Sequence, residues 1–180
     1  MFQIQPMDAE RYRSETRRST LIVCVILAAS CFLLANASLA LFGEPGGNNF
    51  RWNLAGVIAG LLLTIAVVRL FLWEQPWMAP AVYGFRLKRN LMKVTNILHQ
   101  VEAGVAANDH TALQVLRFYH LGLMQMHKLE GNSTALSDMT KQIDQHREHM
   151  LTEGLELEQN RLDPAWLDSI RQRWGSAKRR

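Results

Sequence analysis

Cysteine is nearly absent from this chain, because Cys24 and Cys31 are the only two among 180 residues. Seven positions apart on one helix, their Cα atoms would lie about 10 Å from each other, too far for a disulfide. The sequence also shows no alternating β-type pattern, internal repeat or low-complexity tract. These absences exclude a disulfide framework and leave helices as the predicted regular structure.

Recognisable catalytic motifs are missing as well. The glycines of positions 43–47 are not followed by the Lys-Ser or Lys-Thr of a phosphate-binding loop. No Gly-x-Ser-x-Gly turn and no Cys-x-x-Cys pair occurs. The acidic residues after Asp138 alternate with bases at helical spacing, which is typical of a solvated face. We therefore expect a protein that is not an enzyme and requires no cofactor.

Charge is missing from two long stretches, and these determine the predicted architecture. Residues 19–42 carry no charge, and residues 52–68 carry none before the run continues past Arg69 to Trp73. About 18 apolar residues suffice for a helix to cross a bilayer, and such a helix satisfies its own backbone hydrogen bonds. We predict a transmembrane hairpin over residues 19–73, with a Gly-, Pro- and Asn-rich external turn at 43–51.

The N-terminus permits other interpretations. Arg17 and Arg18 precede an apolar run and resemble a twin-arginine export signal, for which residues 35–37 would be the cleavage site. Residues 27–31 are also a loose match to the cleavage motif of bacterial lipoproteins. However, the uncharged run of about 24 residues exceeds the usual 7–15 of a signal core. A second apolar span follows directly, so we favour an uncleaved anchor.

Basic residues flank both spans on the same side, whereas the turn between them contains only Arg51. The positive-inside rule therefore predicts that both termini are cytoplasmic, with residues 1–18 forming a basic tail. A nucleic-acid binder would instead carry its basic residues on a folded face with interleaved aromatics, so we expect no nucleic-acid partner. The residues predicted at the membrane surface are Arg17, Arg18, Arg69, Arg86, Lys88 and Arg89.

Small side chains form a stripe on each span. Cys24, Ala28, Cys31 and Ala35 recur at spacings of four, three and four, and Gly56 and Gly60 are four apart. Small residues let helix backbones approach closely in lipid. We expect the two stripes to pack within one hairpin, because the short turn brings the helices together. The alternative is packing between two copies.

A helical domain is predicted after the junction at 74–80, which Pro76 and Pro80 interrupt. It covers residues 81–174, and a basic tail follows at 175–180. Asp109 is the predicted N-cap of a helix over 111–130 that is apolar on nearly every side and therefore central. An apolar heptad stripe predicts one helix before it, and further helices follow over 134–153 and from Pro164. The stripe contains Leu87, Leu91, Val94, Leu98, Val101 and Val105.

The predicted fold is therefore all-α, with an N-terminal transmembrane helical hairpin followed by a small cytoplasmic helical bundle. An alternative for the second part is a dimeric coiled coil through the heptad stripe. We favour the bundle, since the central helix needs to be covered on more than one side.

Histidine is the one residue type in the second half that suggests chemistry. His120 and His127 are seven apart, while His146 and His149 are three apart on the next predicted helix. Two helices that each provide two ligands can form a metal site. However, His-Arg-Glu-His lacks the order of a zinc-protease helix, and histidines on half-buried helices more often hydrogen-bond a neighbour. We predict no metal site, and these four histidines are only weak candidates for metal ligands.

Four strings in the sequence resemble a known family. They are LFGEPGGNNFRWNLAGV, QPWMAPAVYGFRLKRNLMKVTN, LRFYHLGLMQMH and LDPAW, and the similarity extends over about residues 6–174. The family comprises uncharacterised proteobacterial membrane proteins, catalogued as a domain of unknown function. The resemblance implies a small two-span protein of the bacterial inner membrane, and it implies no activity or site residue.

These features predict a membrane-anchored helical interaction or scaffold protein. Its expected partners are the lipid bilayer and either another protein or a second copy of the chain. The alternatives are an accessory subunit of an envelope or transport complex and a histidine-based metal-binding sensor. Transport by this chain alone is not expected, because the polar residues within its spans are uncharged.

Overall fold

The computed structural model describes residues 1–176, and seven α-helices make up most of this part of the chain. The prediction of an all-α chain, in which two long apolar helices precede a helical region, is confirmed. Of the predicted basic tail at 175–180, residues 177–180 lie outside the described residues. The helices are α1 Ala9–Phe42, α2 Phe50–Val67, α3 Ala79–Thr95, α4 Leu98–Ala106, α5 His110–Glu130, α6 Ser133–Thr152 and α7 Pro164–Trp174.

The chain divides into two compact units. The hairpin unit is Ser14–Val82, and the helical unit combines Met1–Arg13 with the chain from Tyr83 onward. Residues 1–13, which the sequence predicts as part of a basic tail, thus belong to the same unit as the second half of the sequence.

Two helices of the described chain are long and apolar enough to span a membrane: Ala9–Phe42 with 34 residues, most of it in the hairpin unit, and Phe50–Leu72 with 23. The second consists of α2 and a π-helical turn at Val68–Leu72. Between them, the Asn49 side chain accepts from the Glu44 N–H and donates to the Glu44 carbonyl, at 2.9 and 3.0 Å. Gly46 adopts a φ of 76°, which a side chain would disfavour, so the turn composition explains the reversal.

The core of the helical unit forms around α5, which contacts α4, α6 and α7. Among the described residues, the large side chains with no exposed surface include Leu87, Leu113, Phe118, Leu129 and Ile170. Most of the predicted stripe faces this core, but Leu98 and Val105 are only half-buried. Leu116 and Leu123 of α5 are half-buried as well. The all-round apolar helix is therefore central without being covered on every side.

The prediction of one continuous helix through the heptad stripe is wrong, because α3 ends at Thr95 and α4 begins at Leu98. The backbone leaves helical geometry at Ile97, whose φ is −121° and ψ is 17°. This break places the Ile97 side chain in the core, where it is 5% exposed. A periodic pattern cannot reveal such a break, since the apolar spacing continues through it.

Capping residues determine where α5 and α7 begin. Asp109 Oδ1 accepts from the Thr111 N–H at 2.9 Å and the Ala112 N–H at 3.3 Å, as predicted for an N-cap. The other carboxylate oxygen, Oδ2, accepts from Trp174 Nε1 at 3.0 Å and pairs with Arg173 at 2.6 Å. One carboxylate thus caps α5 and also holds the end of α7. Asp163 caps α7 in the same way, with Pro164 in its first turn.

Two short strands attach the N-terminus to the helical unit. Strand β1, Phe2–Gln3, pairs antiparallel with β2, Arg161–Leu162, and Phe2 lies opposite Leu162. The Phe2 ring stacks on Tyr83 at 6.1 Å and meets the edge of Phe118 at 6.3 Å. Two-residue strands are too short to show an alternating pattern, so the sequence does not predict them.

Candidate functional site

Four of the six predicted helix-packing residues lie together inside the hairpin. A Cβ added to Gly56 would lie 2.5 Å from Ala35 Cα, and one added to Gly60 would lie 2.6 Å from Cys31 Cα. Close contact of the two backbones therefore depends on the absence of side chains at both glycines. The remaining two predicted residues, Cys24 and Ala28, are exposed on α1.

The six basic residues predicted at the membrane surface all have exposed side chains. In the hairpin unit, Arg17 and Arg18 belong to α1, and the Arg69 guanidinium lies 5.3 Å from the centre of the Trp73 ring. In the helical unit, Arg86, Lys88 and Arg89 belong to α3. Lys88 Nζ forms an ion pair with Glu130 at 2.5 Å, and this interaction raises the pKa of the lysine.

A cleft of about 440 Å³ lies among α4, α5 and α6, and we call it the histidine cleft. His120 and His146 contribute to its lining with ring centres 5.2 Å apart and an interplanar angle of 80°. Both rings are buried, with 7% and 6% of their surface exposed. Other residues that line it include Leu98, Val105, Leu116, Tyr119, Met139 and His149.

Three of the four predicted histidines thus share one cleft. His149 lies at 2.9 Å from Asn108 Oδ1 through its Nε2, while His127 lies outside the set of lining residues. Within residues 1–176, no three or more His, Cys, Asp or Glu side chains cluster in a way that could hold a metal ion. The pair His120–His146 therefore lacks a third ligand of these types in the described chain.

Hydrogen bonding assigns the proton of the His146 ring. His146 Nε2 lies 3.1 Å from the Leu113 carbonyl oxygen, which can only accept, so Nε2 carries the hydrogen. Burial lowers the pKa of His146, although the bond to Leu113 opposes this effect. Burial also lowers the pKa of His120 to about 4, and the nearby charges of His146 and Arg117 act in the same direction. Both rings are therefore neutral at pH 7, and His120 Nδ1 is buried without a hydrogen-bond partner.

Arg117 is a functional candidate that the sequence analysis did not select. Its side chain is 8% exposed, its Nε donates to the Leu157 carbonyl at 2.9 Å, and its Nη1 is buried without a partner. Burial lowers the pKa of Arg117, the charge of Arg147 lowers it further, and Asp144 opposes both effects. The signal in the sequence is a single arginine within an otherwise apolar stretch of α5, because an apolar helix rarely buries a charge without a partner.

A second cleft, of about 510 Å³, contains this arginine, and we call it the arginine cleft. Its lining combines apolar side chains of α5 and α6 with Arg117 and Arg147, and residues of the segment after α6 complete it. The residues that line it include Leu121, Met124, Ile143, Asp144, Leu157 and Glu158.

Comparison with known proteins identifies a family. No curated protein and no solved structure matches the chain. A model of one protein family, described as "Protein of unknown function (DUF3087)", matches residues 2–167. This match confirms the resemblance to a domain of unknown function. Since the match covers nearly the whole sequence, the chain belongs to the DUF3087 family of proteins of unknown function.

Proposed function

We propose that the protein is a membrane-anchored interaction protein. The hairpin unit holds the chain in a bacterial inner membrane with both termini in the cytoplasm, and the helical unit binds another protein or a second copy of the chain.

The observation that carries this proposal is the inverted packing of the hairpin unit. The buried positions of α2 are Gly56, Gly60 and Thr64, all of which are small or polar. Large apolar side chains such as Phe32 and Leu62 are instead exposed to 69% and 61%. Water would strongly disfavour this arrangement, whereas lipid accommodates it, since helices in a bilayer pack through small residues.

The cytoplasmic orientation is supported by the distribution of basic residues. Arg17 and Arg18 precede the first apolar segment, and Arg86 and Arg89 follow the second, while the turn contributes only Arg51. The chain leaves its second apolar helix at Leu72 and enters α3 at Ala79. The exposed bases of α3 therefore come soon after the membrane-spanning segment, where anionic headgroups attract them.

A binding role for the second half is supported by the form of the helical unit. This unit has its own buried core and also carries two open clefts. An anchor alone would not require such a unit. The same features also support the alternative of an accessory role in a larger envelope or transport complex. A histidine-based metal sensor is less favoured, because the described residues provide no third ligand beside His120 and His146.

The proposal can be tested by cross-linking in living cells followed by detergent solubilisation and capture of a C-terminally tagged full chain. We expect one partner, or an untagged second copy, to be captured reproducibly by the parent. Phe118→Asp places a charge at a position with no exposed surface and should unfold the helical unit while leaving the hairpin sequence intact. This variant should still reach the membrane and lose the partner.

Glu148→Gln is the matched control, because Glu148 is exposed on α6. It should capture the partner as the parent does. Absence of any reproducible partner, or equal capture by Phe118→Asp, would contradict the proposal that the helical unit mediates the interaction.

A further inference from the structure

Among the described residues the guanidinium of Arg117 forms no ion pair, although Asp144 and Glu158 line the same cleft. Its side chain is more than nine-tenths buried, and its sole hydrogen bond in the described structure joins Nε to the Leu157 carbonyl. A buried charge is strongly disfavoured unless it is paired and fully hydrogen-bonded. Nη1 is buried and has no hydrogen-bond partner within the described part of the chain. Since Arg117 also lines the arginine cleft, this unpaired guanidinium borders a space that a ligand can enter.

The direction of the unused donors restricts the chemistry of a ligand. Because Nε already donates to Leu157, the donors left are those of the two terminal nitrogens, at the end of the guanidinium. Two parallel N–H groups match the two oxygens of a carboxylate in a bidentate pair.

The other groups around the cleft restrict the ligand further. Arg147 supplies a second positive charge, while Asp144 and Glu158 supply two negative ones. Because these four formal charges cancel, a doubly charged phosphate gains no net attraction over a singly charged carboxylate, and it loses more hydration free energy on entering the cleft. The apolar side chains Leu121, Ile143 and Leu157 provide a surface for a short hydrocarbon chain.

We propose that the arginine cleft binds a small organic carboxylate, whose head group pairs with Arg117 and Arg147 and whose aliphatic part lies against Leu121, Ile143 and Leu157. The cleft volume of about 510 Å³ is within the range of small-molecule sites. This site belongs to the helical unit alone and does not depend on the proposed membrane anchoring or partner binding.

Binding can be measured on the full chain in a neutral detergent, with sodium butyrate as the probe. Sodium chloride at equal ionic strength controls for salt, butyramide controls for the apolar part, and inorganic phosphate tests the head group. We expect butyrate to raise the unfolding temperature in a saturable manner. Butyramide and chloride should not, and phosphate should act more weakly than butyrate.

Variants locate the site. Arg117→Gln should abolish the butyrate effect. Arg147 is exposed, so Arg147→Gln should fold normally and weaken butyrate binding by about tenfold, as expected for the loss of one charge-assisted contact. Arg171→Gln removes an exposed arginine that pairs with Asp168 on α7, and it should bind butyrate as the parent does.

A second readout separates binding at this cleft from binding elsewhere on the protein. The charge of Arg117 acts on His146, so an anion paired with Arg117 should raise the pKa of the His146 ring. Histidine NMR signals would record this change in the parent and in Arg147→Gln. Any one of four results would overturn the proposal: no response to butyrate, an equal response to butyramide, a stronger response to phosphate, or undiminished binding by Arg147→Gln.

Discussion

Acid should destabilise the helical unit through the buried histidines of the histidine cleft. In the unfolded chain a histidine takes up a proton below about pH 6.5. In the folded chain burial lowers the pKa of His120 to about 4. Between these values the unfolded state binds more protons, so stability is complete above pH 6.5 and decreases as the pH falls towards 4. The lowered pKa of His146 acts in the same direction.

The two pKa values of His120 give the expected magnitude. From pH 7.5 to pH 5 its contribution to the free energy of unfolding should decrease by about 2 kcal/mol. This is a substantial part of the 5–15 kcal/mol that is typical for a domain. The carboxylate of Asp109 does not contribute in this range, because its pKa is lowered from 3.8. Burial opposes that lowering, but the hydrogen bonds from Trp174 and the α5 backbone, together with the charge of Arg173, outweigh it.

The assay is urea unfolding of the full chain in a neutral detergent at pH 7.5 and pH 5, followed by far-UV circular dichroism. His120→Leu removes the titrating ring and its unpartnered buried nitrogen. On acidification its free energy of unfolding should therefore decrease by about 2 kcal/mol less than that of the parent. His110→Gln is the control, because that histidine is 62% exposed. If the parent is equally stable at both pH values, or if His120→Leu keeps the parent's pH dependence, the reasoning about buried neutral rings is refuted.

Three further predictions concern packing and capping. Gly60→Leu should weaken the hairpin by about 1–2 kcal/mol or more, since even a Cβ there would lie 2.6 Å from Cys31 Cα; thermal unfolding in detergent measures this. Phe118→Ala should destabilise the helical unit by about 3–5 kcal/mol in urea unfolding, because the ring has no exposed surface. Asp109→Ala should cost about 2 kcal/mol in the same assay, through loss of the α5 cap and of the bond to Trp174.

Each of these predictions has a matched control. Leu62 lies on the exposed face of α2. In contrast to Gly60→Leu, Leu62→Ala should therefore leave the detergent-solubilised hairpin as stable as the parent. Met92→Ala, at a side chain that is 66% exposed, should change stability within about 0.5 kcal/mol. Asp109→Asn keeps a capping oxygen, so it should be destabilised less than Asp109→Ala. A parent-like result for all three test variants would mean that the described contacts do not stabilise the fold.

Local chemistry made a large part of the fold predictable. Asp109 and Asp163 begin helices and Gly131 ends one, because capping and left-handed backbone geometry depend on residues close in sequence. The two apolar helices follow from hydropathy and length alone. The break at Ile97 was not predictable, since it depends on packing against residues distant in sequence.

The candidate site was less predictable than the fold. Spacing placed His146 and His149 on one helix, but it could not show that His120 meets His146 while His127 lies outside their cleft. Arg117 was overlooked because it lies in an apolar helix, and only the structure shows that its Nη1 has no partner. Pairing between helices depends on their rotation and register, which a single sequence does not encode locally.

The central claim is that the apolar hairpin crosses a membrane and leaves both termini in the cytoplasm. The most direct measurement uses an alkaline phosphatase reporter that is active only outside the cytoplasm. It is inserted between Gly46 and Gly47 of the turn in one fusion and placed after Arg180 in another. The account predicts activity at the turn and none after Arg180, at comparable expression of the two fusions. Equal activity at both positions would contradict it and favour a cleaved or lipidated N-terminus.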